Sequence, residues 1–326
     1  MGKIFSRILH SEQAGLLLAL VLLCVVISLL TPVFFTALNI KNVLRDASLV
    51  AIAGSGMVMI ILLGEIDLSV GSTQAVAGII AVAVLNQMDS VLLALLAALL
   101  AGAVIGLCNG LLVTKAGINS LIATLGMMAI LRGGAMVSTQ AVSIQGKVES
   151  FVEAGTGYLG PIPVPVLIAF ALFALFYYVL HHTILGRYIY AIGGNIQAAR
   201  LSGLAVDRTR ILVFVIGGVL AALSAFILAS RLNSGQPNAG LGFELQVIAA
   251  VILGGISLTG GVGTLGGAFI GILILTVLSN GLVLRNVASF YHDIARGAVS
   301  ILAVYLDTRR KQSLLRRLLA PSAEEK

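Results

Sequence analysis

The chain has 326 residues, 59% of them hydrophobic and only 10% charged, with a mean hydropathy of +1.09. A soluble domain carries about 25% charged residues, so this much apolar surface cannot hide inside a water-soluble core and must meet lipid. The net charge is +7, but the basic residues sit in short segments between apolar runs, which is a topology signal and argues against nucleic acid as a partner.

A membrane span needs about 20 apolar residues. Ten segments qualify, over 14–31, 43–63, 70–86, 91–113, 119–138, 164–181, 210–230, 244–258, 264–284 and 290–306. The third and eighth are the shortest and lie close to their neighbours. No alternating pattern runs through the chain, so the fold class is all-α and polytopic rather than a barrel. Lys3 and Arg7 before the first run imitate a secretory signal peptide. Thr31-Pro32-Val33-Phe34-Phe35 follows in place of a small-residue cleavage site, so the run reads as an uncleaved first helix. Met1-Gly2-Lys3-Ile4-Phe5-Ser6 fits the myristoylation pattern, but an integral protein needs no lipid anchor and the match is chance.

Orientation follows from Lys and Arg. With the N-terminus in the cytoplasm, ten spans return the C-terminus there, and 13 of 20 basic residues fall inside. The 182–210 stretch and the tail after 307 hold the two densest basic clusters. The 139–163 loop is then periplasmic and the 182–209 loop cytoplasmic. No soluble segment is set apart, so residues 1–326 form a single transmembrane domain. Cys24 and Cys108 lie inside apolar runs with no CxxC partner and read as small core residues.

Gly64-Glu65-Ile66-Asp67-Leu68-Ser69-Val70-Gly71-Ser72 interrupts two spans. Two carboxylates beside a membrane are costly unless they face water, protein or a partner. The segment is either a pathway or gate element or a polar turn. It echoes Leu253–Gly261: aligned with Leu63–Gly71, five of nine residues are identical. Transporters are often built from repeats with broken helices at matching places. In the 182–210 stretch, Asn195 can cap a short helix over 196–202 that Gly203 stops. Such a helix either docks a partner or lies in the interface. Gly102, Gly106 and Gly110 share one helix face, as do Gly267 and Gly271, and suit close helix crossing. Gly261-Val262-Gly263-Thr264-Leu265-Gly266 matches the dinucleotide fingerprint, but no acidic residue follows before Asp293 and membrane spans flank it, so that reading is rejected. The chain has no P-loop, no metal-ligand spacing and no nucleophile motif, so it is not an enzyme and binds neither metal nor cofactor.

The chain resembles the permeases of ribose-type importers in the ABC superfamily. Gly64 to Ser72 carries the likeness, with Glu65 where the family commonly has Gly. So do Ala123-Thr124-Leu125-Gly126 through Leu131-Arg132-Gly133, the run from Leu185 to Asn195, and Ala229-Ser230-Arg231-Leu232 with Gln236-Pro237-Asn238-Ala239-Gly240. Leu253 to Thr264 and Asn280-Gly281-Leu282 complete it. The resemblance implies a bacterial inner-membrane subunit that works as a dimer of permease chains. It implies a periplasmic sugar-binding protein that delivers a monosaccharide, and a separate ATPase subunit that hydrolyses the ATP. It further implies that Gly186, Arg187, Tyr188, Gly193, Gly194, Asn195, Ala198, Ala199 and Gly203 form the coupling element for that ATPase, with Ala199 as a contact residue. Asp67, Ser69, Asn109 and Asn280 are the candidates for the sugar's path. An ion-coupled secondary carrier is the alternative, although buried acids of the kind such carriers use are few. The resemblance does not fix the sugar.

Overall fold

The computed structural model describes residues 12–288 throughout, and 291, 294, 295, 297–299, 301, 302 and 305 beyond them. The helices are α1 (Glu12–Leu30), α2 (Ala37–Leu62), α3 (Val70–Met88), α4 (Val91–Thr114), α5 (Ser120–Thr139), α6 (Phe151–Thr156), α7 (Val164–His182), α8 (Ile184–Gly194), α9 (Ile196–Leu201), α10 (Val206–Leu232), α11 (Phe243–Leu253) and α12 (Leu265–Leu284). Among the described residues, eight helices are long and apolar enough to cross a membrane: α1 to α5, α7, α10 and α12. They match the first seven expected spans and the ninth.

The eighth expected span, 244–258, is shorter than the sequence suggests. The helix α11 stops at Leu253 after 11 residues. Gly255 has φ +92° and turns the chain, so the apolar run to Leu258 continues as a loop. The tenth expected span, 290–306, falls only in part on described residues, which are helical, and the basic residues at both termini lie outside them.

Helix starts are set by side chains that relieve the unpaired amides of a first turn. Thr36, Ser90, Asn119, Thr183, Asn195 and Thr264 each accept a hydrogen bond from an amide two or three residues on. The stretch 182–209, expected as a loop with one short helix, is two helices, α8 and α9. Inward-facing Ile189 and Ile192 give α8 a buried stripe.

The helix α10 runs through the middle of the bundle against α2, α3 and α4. α4 approaches it backbone to backbone. A Cβ added to Gly102 would strike the Gly218 carbonyl, one on Gly106 the Phe214 carbonyl, and one on Gly110 would lie 2.9 Å from Ile211 Cα. Gly267 and Gly271 let α12 approach Gly254 and Ala250 of α11 in the same way. Lipid tails are as apolar as Leu, so such close contacts, rather than hydrophobic burial, hold membrane helices together. α1 and much of α5 and α7 face outward. Cys108, expected in the core, is exposed on an outward face of α4, and Cys24 is half-buried on α1. The α4 face directed at α10 is taken by the glycines, which leaves Cys108 on the other side.

The 139–163 segment folds over one end of the bundle. Its strand β1 (Ile144–Gln145) pairs antiparallel with β4 (Ser234–Gly235), and β2 (Tyr158–Leu159) with β3 (Ile162–Pro163). Phe151 is fully buried, edge-on to Phe226 at 5.4 Å. The Ser230 hydroxyl donates to the Phe151 carbonyl.

Gly106→Val would drive a branched side chain into the α10 backbone, and overpacking costs about 1–3 kcal/mol or more. The expected outcome is a severalfold fall in membrane abundance. Gly126→Ala, where nothing lies within 4 Å, is the control and retains normal abundance. Equal abundance of the two variants by quantitative blotting would remove the close-packing account.

Candidate functional site

Three of the four residues expected on the path meet in one place. The connection between α2 and α3 carries Asp67, which is 2% exposed, and Ser69, which is fully buried. The Ser69 amide and hydroxyl both donate to Asp67 Oδ1, at 2.8 and 2.6 Å. Asn109 of α4, also fully buried, donates its amide to Ser69 Oγ at 2.9 Å and to the Asp67 carboxylate at 3.4 Å. Burial pushes the Asp67 carboxyl up, while the hydrogen bonds from Ser69 and Asn109 pull it back. Two α5 hydroxyls hold the same connection: Ser120 accepts from the Ile66 amide at 3.2 Å and Thr124 from the Leu68 amide at 3.0 Å. The geometry is a staple that fastens a broken connection to α4 and α5.

Glu65 adds an unexpected tie. Its carboxylate forms an ion pair with Arg210 in the first turns of α10, with both side chains close to nine-tenths buried. One turn earlier, Asp207 accepts from Lys115 at the end of α4 (3.1 Å) and from Arg200 of α9 (3.3 Å).

The residues expected to couple to the ATPase lie at this same end. The Asn195 side chain accepts from the Gln197 and Ala198 amides at 3.0 and 2.9 Å, and Gly203 at φ +78° ends the turn after α9. Gly186 packs on the Leu180 carbonyl, and Gly193 fits against the Leu62 carbonyl and the Gly261 amide. Gly194 lies against Gly261. Tyr190 donates to the Gly263 carbonyl at 2.9 Å, and the Gly261 amide donates to the Leu62 carbonyl at 2.8 Å. The two echoing connections, after Leu63 and after Leu253, are therefore neighbours, and α8 rests on both. Arg187 is exposed and Tyr188 half-buried. Ala199 points inward at 5% exposure, because the stripe that holds α9 to the bundle passes through it. The outward apolar side is instead Ile196 and Leu201, the latter 91% exposed.

Asn280, the fourth expected path residue, is elsewhere. It sits in the last turns of α12 and exchanges hydrogen bonds with Asn39 of α2, at 2.9 and 3.0 Å. Both line a cavity of about 600 Å³ between α2, α3, α10, α11 and α12. Asp46 and Arg231 form an ion pair of 2.5 Å in its wall. The sequence reading missed this wall, although Asn39, Asn42 and Asp46 recur at spacings of three and four, which marks one polar helix face. Among the described residues no group of His, Cys, Asp and Glu could hold a metal.

The family model for the branched-chain amino acid transport system permease component matches residues 39–304. The ribose import permease protein of Escherichia coli (strain K12) is 44% identical over 313 residues, 95% of this chain and 97% of that one. That of Bacillus subtilis (strain 168) is 42% identical over 302 residues, 92% and 94% of the two chains. The L-arabinose transport system permease protein of Escherichia coli (strain K12) is 38% identical over 302 residues, 93% and 92%. No solved structure matches.

Asp67→Ala would leave the Ser69 amide and hydroxyl without their buried acceptor, at about 1–3 kcal/mol for each unsatisfied group. The expected result is a lower thermal midpoint in detergent, with Asp67→Asn, which keeps one acceptor oxygen, falling in between. Midpoints equal to wild type for both variants would refute the staple.

Proposed function

The chain belongs to the branched-chain amino acid transport system permease family, and from that membership we propose that it is the membrane-spanning subunit of an ATP-driven importer of a monosaccharide. The sugar is inferred from the names of the relatives, which import ribose and L-arabinose. A permease component is a conduit and not an enzyme. ATP is hydrolysed by a separate ATPase subunit, and a periplasmic binding protein delivers the sugar. Two permease chains pair in the membrane of the bacterial cell, and residues 1–326 act as one domain.

The orientation we propose puts both termini in the cytoplasm. In its favour, Lys115, Arg200, Arg208 and Arg210 gather at the α8–α9 end of the bundle. Ten spans remain our count. α11 with the loop after it crosses as the eighth, since Thr264 at the far end of that loop meets Gln13 of α1. The region 290–306 is the tenth.

One observation carries the mechanism: α8, which leads directly into α9, rests on both broken connections. A push on this pair from the ATPase would reach the Asp67–Ser69–Asn109 staple through Leu62, and α10 through Asp207 and Glu65–Arg210. The staple then serves as a cytoplasmic gate, and the cavity around Asn280 as the periplasmic part of the path. ATP binding shifts the population between two arrangements in proportion to the difference in their free energies. No finding favours an ion-coupled carrier.

Ala199 faces the bundle, so Leu201 is the residue to test. Leu201→Glu should leave insertion and dimerisation intact, because that side chain touches water. Losing an apolar anchor costs about 2 kcal/mol, or roughly thirtyfold in affinity for the ATPase. Co-purification of the ATPase should fall accordingly, with ATP-driven sugar uptake. Wild-type co-purification and uptake in this variant would end the docking assignment. Glu65→Arg combined with Arg210→Glu should recover uptake that either single reversal abolishes; failure of the pair to recover would count against the ion pair as a transmitting tie.

A further inference from the structure

We propose that the cavity between α2, α3, α10, α11 and α12 is a binding site, inside a single chain, for a neutral polyhydroxylated ligand, and that Thr276 and Gln246 are among its specificity residues. The assignment rests on the importer reading and names the ligand class for one part of the path. At about 600 Å³ the cavity is within the ~300–1,000 Å³ usual for small-molecule sites. A monosaccharide fits it together with water.

The chemistry of the wall selects the ligand. Among the described residues its only charged side chains, Asp46 and Arg231, neutralise each other. The remaining polar groups include the carboxamides of Asn39, Gln74, Gln246 and Asn280 and the hydroxyls of Thr276 and Ser279. Carboxamides and hydroxyls both donate and accept, which is what sugar hydroxyls require. A zwitterionic amino acid would need a free cation and a free anion, and here both are engaged with each other. Leu228 and Phe243 supply an apolar patch for the C–H face of a sugar ring.

One group lacks a partner. Thr276 is 3% exposed and lines the cavity, and its hydroxyl makes no hydrogen bond. Helical threonines usually have an easy alternative, bonding back to the carbonyl four residues earlier. Thr114, Thr124, Thr139 and Thr156 all do so here. An unsatisfied buried hydroxyl costs free energy, and a ligand hydroxyl at this position would remove that cost.

The test uses the complete importer in cells, with this chain, its ATPase and its binding protein, and labelled D-ribose, L-arabinose and L-leucine as probes. Uptake is expressed per inserted chain. Thr276→Val, which keeps the shape and removes the hydroxyl, should lower the maximal rate of sugar uptake about fivefold. The apparent KM for the sugar-loaded binding protein should stay unchanged, because Thr276 is buried and cannot touch a docked protein. Thr276→Ser restores the hydroxyl and should restore the rate. Gln246→Leu should lower it similarly. If wild type imports a sugar and Thr276→Val and Gln246→Leu import it at the same rate, the cavity assignment is overturned while the importer reading stands. If Thr276→Ser is as impaired as Thr276→Val, the hydroxyl is not the cause and the assignment is likewise overturned. If wild type imports L-leucine and neither sugar, the sugar reading itself fails, independently of the variants.

Discussion

The contact on which the rest depends is the backbone-to-backbone approach of α4 and α10 through Gly102, Gly106 and Gly218. In lipid no water is displaced when two helices meet, so only close van der Waals contact and interhelical hydrogen bonds favour the pair. Glycine at these positions of the seam brings the two axes within reach. With α10 held there, each level of it meets a functional element. Asp207 and Arg210 reach α9, α4 and the Glu65 connection. Ser224 donates to the Leu49 carbonyl of α2 and accepts from Gln74 of α3 at mid-depth. Arg231 closes on Asp46 at the far end. The central helix is thus a beam joining the two ends at which the chain has its polar work.

Those ends are chemically unlike. At one, carboxylates are buried and fully engaged: Asp67 by Ser69 and Asn109, Glu65 by Arg210. A buried ion pair is weak evidence of net stability, because desolvation offsets attraction, but breaking it leaves an uncompensated charge. That asymmetry favours two arrangements in which the pair is either wholly made or wholly solvated, with little in between. At the other end the polar groups are mostly neutral amides and hydroxyls around open space, which can exchange partners at small cost.

Much of this was legible in the sequence, and the failures have physical causes. Long apolar runs located eight spans, because a lipid-facing helix has nowhere to put polar residues. Asp67, Ser69 and Asn109 stood out as polar residues in apolar surroundings, but so did Asn280, which lies elsewhere against Asn39; that the first three bond to one another was not legible. Nor was the cavity wall. Averaging hydropathy over a span hides Asn39, Asn42 and Asp46 at the start of α2, and the expected span began only at residue 43, past the first two. Glu65 stood out as a departure from its family's pattern, but its partner lies 145 positions away, and nothing local in a sequence announces a contact at that distance. For Ala199 the side chain's direction was the unknown. A six-residue helix is too short for periodicity to tell its inner face from its outer one.

The brevity of α11 has a consequence for how the chain is made. Eleven residues rise only about 16 Å, roughly half the ~30 Å hydrocarbon layer. A segment of that length offers the insertion machinery too little apolar surface to be released into lipid by itself. Its Gly254 end is pressed against Gly267 and Gly271 of α12. α11 is therefore held by α12 rather than by lipid, and the expected route into the membrane is with α12 as a hairpin. The wall of the cavity is accordingly complete only once α12, which supplies Thr276, Ser279 and Asn280, has been made.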